Sequence, residues 1–69
     1  MTQKELAYLE DAIGHEKIII SIINDMQNNL QDQSLVTFIE NELDKHEKLK
    51  ENLINKLEEK ANEWWIINE

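Results

Sequence analysis

The sequence predicts an all-α protein, an antiparallel two-helix hairpin that doubles into a four-helix bundle. Three observations carry that reading. The 69 residues include no Pro and one Gly, a composition that favours long helices and few turns. Two long stretches place apolar residues at three-four spacing, separated by one short polar segment. A chain this small buries only roughly 60% of its unfolded surface. With no Cys to staple it, association is the expected source of stability.

The expected elements are a helix over 3–30, a turn over 31–34 and a helix over 35–65, forming one domain over 1–69. The first helix opens on Thr2 with Glu5 three residues later, a capping box that satisfies free amides. Leu6, Leu9, Ile13, Ile20, Ile23 and Leu30 then mark one face, which Tyr8, Ala12, Ile19 and Met26 widen. Ile18 and Ile22 fall off that stripe and point to a second contact surface. Gly14, inside the helix, costs about 1 kcal/mol relative to Ala and reads as a tolerated exposed residue or a point of close helix approach.

Periodicity fades over Asn28-Asn29-Leu30-Gln31-Asp32-Gln33-Ser34. Asn, Asp and Ser compete there for backbone hydrogen bonds, with Asp32 or Ser34 as the next N-cap. A second stripe follows at Leu35, Ile39, Leu43, Leu49, Leu53, Leu57, Ala61 and Trp64, widened by Val36, Phe38 and Ile54. Asp44 with Lys48, and Glu47 with Lys50, are spaced to pair on its outer face. The tail Trp64-Trp65-Ile66-Ile67 follows no single face; it reads first as an extension of the hairpin or dimer core, then as a partner contact, and last as a membrane-interface anchor. A short connection makes the two helices antiparallel neighbours. The residues expected at an interface are Leu9, Ile13, Ile20, Ile23, Ile39, Leu49, Leu53, Trp64 and Trp65.

The net charge of −8 and the absence of Arg disfavour nucleic acid, whose phosphates call for clustered cations. An anionic membrane surface is disfavoured on the same ground. The longest apolar run is four residues, against the ~20 needed to span a bilayer. No secretory signal is expected from the N-terminal residues. No Ser-His-Asp arrangement, glycine-rich phosphate loop or Cys motif is present, so no enzymatic activity is expected. The expected partner is a second copy or another protein, and no cofactor is expected.

Three ionisable residues interrupt the apolar arcs: Glu16 in the first helix, Glu42 and His46 in the second. Buried carboxylates and imidazoles need a partner or a metal. With the turn centred near residue 32, Glu16 lies within about one helical turn of His46, and Glu42 one turn further. Three readings follow, the plainest being that bundle geometry lets these side chains reach solvent and leaves no special site. A polar layer of Glu16 with His46, joined by Lys50, would fix the register. Alternatively, Glu16, Glu42 and His46, doubled in a dimer, would hold iron, manganese or zinc, as carboxylate-bridged bundles do. Glu42 and His46 are four residues apart, not in the Glu-x-x-His spacing of such bundles. A further reading is an adaptor whose partner covers Trp64, Trp65 and the apolar stripe.

Glu5-Leu6-Ala7-Tyr8-Leu9-Glu10-Asp11-Ala12-Ile13-Gly14-His15-Glu16-Lys17, then Leu30-Gln31-Asp32 and Asp44-Lys45-His46, resemble small spore coat proteins of the coat protein F type. The resemblance covers about residues 4 to 57. It implies a ferritin-like bundle and a structural role in or beneath an endospore coat, without catalysis. His15, Glu16 and His46 occupy the matching blocks and would inherit any metal site of that family. The implied location is the cytoplasm or the spore coat.

Overall fold

The structure is a computed structural model that describes the backbone of residues 1–68 and the side chains of residues 1–63. It contains two α-helices, α1 Gln3–Gln27 and α2 Gln33–Asn68, packed along each other as an antiparallel hairpin. No strand occurs among the described residues. The hairpin is a rod of 55 × 15 × 12 Å. Its radius of gyration is 16.0 Å, against about 11 Å for a globular domain of this length. A rod two helices wide has no interior layer, and among the described residues no side chain is fully enclosed.

The start of α1 is the expected capping box. Glu5 N–H donates to Thr2 Oγ1 at 3.0 Å, and Thr2 N–H donates to Glu5 Oε1 at 2.8 Å. These two bonds to Thr2 hold the Glu5 carboxyl below the usual carboxylate range. The helix stops at Gln27, three residues earlier than expected. The Asn29 amide folds back to donate to the Asp25 carbonyl at 2.8 Å, and Asn29 N–H donates to the Met26 carbonyl at 3.0 Å. Leftover carbonyls are thereby satisfied without a residue of positive φ.

Asp32, not Ser34, caps α2, so the helix begins at Gln33 rather than residue 35. Asp32 Oδ1 accepts from Ser34 N–H at 2.9 Å, Leu35 N–H at 3.1 Å and the Ser34 hydroxyl at 2.7 Å. Those donors hold its carboxyl below the ordinary value, the Ser34 hydroxyl contributing most. A depressed folded pKa stabilises the fold above the unfolded value and loses that effect as pH falls through the folded one. Asp32→Asn therefore lowers the melting temperature at neutral pH. The gap to the parent closes as pH drops below about 4, a trend that thermal melts followed by circular dichroism will record. At its far end α2 extends to Asn68, three residues beyond the expected end.

Burial reveals a stricter pattern than the apolar stripes suggest. In α1 the covered or half-covered seam runs through positions 6, 9, 13, 16, 20, 23 and 27, continuing to position 30 in the turn, and in α2 through 36, 39, 43, 46, 50, 53, 57 and 60. Alternating steps of three and four define a coiled-coil seam. Ile13, Ile20, Ile23 and Ile39 are its buried apolar members. The second stripe is corrected accordingly. Leu35, Leu49 and Ala61 are exposed, and Val36, Lys50 and Lys60 take their places in the seam. Lysine can do so because its methylene stem packs while the ammonium reaches water.

Asp44 and Lys48 pair as expected, at 3.0 Å. Glu47 and Lys50 do not pair among the described residues; Lys50 is half-buried instead. A Cβ built on Gly14 would meet nothing within 4 Å, so this glycine serves no close approach between helices.

Candidate functional site

Glu16 and His46 meet across the seam. Glu16 sits between Ile13 and Ile20 on the buried face of α1, and only 8% of it is exposed. His46 Nδ1 lies 2.6 Å from Glu16 Oε2. With an ionised carboxylate as acceptor, the imidazole proton is on Nδ1. Among the described residues this is the one hydrogen bond between the helices, all others joining residues close in sequence. No buried side-chain nitrogen or oxygen there lacks a partner. The pairing centres the hairpin near residue 31, one residue before the expected point, because α1 ends early.

Glu42 does not join the pair. It is half-buried and accepts a hydrogen bond from Lys45 Nζ at 3.3 Å. Lys50 forms no ion pair with Glu16 or His46 among the described residues, and His15 is exposed. No group of three His, Asp or Glu side chains converges there in a manner that could hold a metal ion. Within one chain the site therefore offers two potential ligands, whereas a structural zinc centre takes four. Surface grooves among the described residues lie elsewhere, at the open end of the hairpin beside Met1 and against Lys50 and Ile54. None is lined by Glu16 or His46. The geometry suits a register-setting polar layer.

A second feature lies on the outside. Among the described residues seven large apolar side chains are exposed by 40–61%: Tyr8, Ile18, Ile22, Met26, Leu35, Phe38 and Leu49. All but Ile18 fall in two outer rows that repeat the three-four spacing of the seam. On α1 the row runs Tyr8, Ala12, His15, Ile19, Ile22, Met26; on α2 it runs Leu35, Phe38, Glu42, Lys45, Leu49, Asn52. In an antiparallel pair sharing one seam, these rows flank it on the same side. The next member of each row, Glu5 and Lys56, confirms the placement by lining one groove together with Tyr8.

Of the expected interface residues, Ile13, Ile20, Ile23 and Ile39 are buried within the chain's own seam, where Leu9 and Leu53 are half-buried. Leu49 faces outward. Trp64 and Trp65 lie outside the residues whose side chains are described. Ile18 and Ile22, set apart by the sequence, are exposed as expected; Leu35 and Leu49 were hidden by their assignment to the inner stripe. Among the described residues no helix is long and apolar enough to cross a membrane. Comparison with protein families, curated proteins and solved structures found no match.

Proposed function

We propose that this chain is a non-enzymatic assembly protein, a helical hairpin whose role is to associate with copies of itself in a structural layer. The observation that supports the reading is an imbalance. Among the described residues four apolar side chains are buried, while seven large ones are exposed, and contiguous exposed apolar rows mark interaction surfaces. The resemblance over residues 4 to 57 points the same way, toward a spore coat-like component acting in the cytoplasm or the coat. In this reading Glu16 and His46 set the helix register and carry no chemistry.

Light scattering on the purified chain tests the proposal. The expected mass at micromolar concentration is a multiple of 8.2 kDa, and the melting temperature rises with protein concentration, as mass action requires. A folded 8.2 kDa monomer whose melting temperature ignores concentration would overturn it.

A further inference from the structure

We infer that two copies pair face to face through the outer rows of α1 and α2, closing a four-helix bundle around Ile19, Ile22, Met26, Leu35 and Phe38. This rests on the self-association reading and adds the surface and its occupant. Three observations select them. The outer row of α1 has the three-four spacing of a coiled-coil seam, so the shape that fits it is another helix. The row of α2 lies on the same side, which makes the surface a two-helix face matched by a second two-helix face.

Charge selects the partner. From Tyr8 to Met26 and from Leu35 to Asn52, the rows hold one carboxylate, Glu42, and one ammonium, Lys45, bonded to each other at 3.3 Å. That face is neutral in a chain of net charge −8. The acidic excess lies on the other sides, at residues such as Glu10, Asp11, Asp25, Glu40, Asp44 and Glu51, all exposed. Copies therefore meet without like-charge repulsion on this face alone, while a basic partner would be drawn elsewhere.

The neutral stretch of the rows, Tyr8 to Met26 and Leu35 to Asn52, runs roughly 27 Å at 1.5 Å per residue on a rod 15 Å across. It offers on the order of 400 Å² in projection as the apolar centre of the contact, and the rest of the roughly 800 Å² per partner of a stable complex falls to the row ends around it. The two-fold axis of such a dimer makes the interface self-complementary.

The test uses the full chain and sedimentation equilibrium. Ile22→Asp with Phe38→Asp should raise the dimer dissociation constant by at least about 100-fold, as expected for losing two interface anchors. Ser21→Asp, on the opposite face of α1, should leave it unchanged. A dimer that survives the double substitution, or one that Ser21→Asp dissociates, would overturn the assignment while leaving self-association intact. A monomeric parent would overturn both. Should the double variant lose its helical circular dichroism, thiol reactivity decides, since the natural chain has no Cys. Ile22→Cys should lose reactivity as protein concentration rises and Ser21→Cys should not; the reverse pattern would sink the proposal.

Discussion

Truncating either Ile23 or Ile39 to Ala is expected to cost about 2–4 kcal/mol, enough to unfold much of a chain this size. Both are buried, and among the described residues only two other apolar side chains are buried to compensate. Ile23 lies seven residues after Glu16 and Ile39 seven before His46. The bond between Glu16 and His46 therefore brings the two isoleucines level, two turns along the seam. Residues that share a layer do not act independently, so the double variant should lose less than the two singles together. Urea unfolding followed by circular dichroism, set against Ile18→Ala as a control, measures this. Ile18 is 60% exposed and outside both rows, and its truncation should stay within about 0.5 kcal/mol. Equal losses at Ile18 and Ile23 would contradict the assigned seam.

The second large effect concerns Glu16 and His46, and it is asymmetric. The side chain of Glu16 is 11% exposed and that of His46 28%. His46→Ala leaves a nearly buried carboxylate without its donor and should destabilise by about 2–4 kcal/mol. Glu16→Ala leaves an imidazole that water can reach and should cost about half as much. Replacing both by Leu removes the desolvation cost of the pair and should stabilise the hairpin by about 1–4 kcal/mol.

That gain should come with lost specificity. Sliding α2 by one heptad sets Glu16 against position 39 or 53, occupied by Ile39 and Leu53, and neither can accept or donate a hydrogen bond. The Glu16-His46 pair penalises that slip; the double Leu variant does not. Interhelix distances between spin labels should broaden from one population to several. A single sharp distance in the double variant would show that packing alone sets the register.

Much of this was legible in the residues. Thr2 with Glu5 announced the first cap, and Asn28 to Ser34 announced the turn. Glu16 and His46 were identified by being ionisable where the wheel is apolar, and they met. The boundaries moved by two or three residues because side chains decide where helices end. Asn29 turned back onto α1, and Asp32 took the capping role that Ser34 could equally have filled. The second stripe was misread for a different reason. Scoring apolar residues alone drew Leu49 inward, because Leu is greasier than its neighbour Lys50. A seam kept in strict three-four steps from Ile39 through His46 requires Lys50, whose stem packs well enough. Glu42 shared the apolar arc with His46 on the wheel, yet it lies just beside the seam, where Lys45 reaches it. Neutrality of the outer face was not visible until both rows could be placed on one side.

The turn that joins the helices has a consequence for topology. Residues 28–32 include no Gly, no Pro and no residue of positive φ. If this segment straightened, α2 of one chain could lie on α1 of another and rebuild the same seam, with Glu16 and His46 meeting between molecules. Such a domain-swapped pair would bury the same isoleucines. The bonds of Asn29 stay within the end of α1 and those of Asp32 within the start of α2, so both caps survive in either form, and protein concentration sets the balance between the closed hairpin and the exchanged pair.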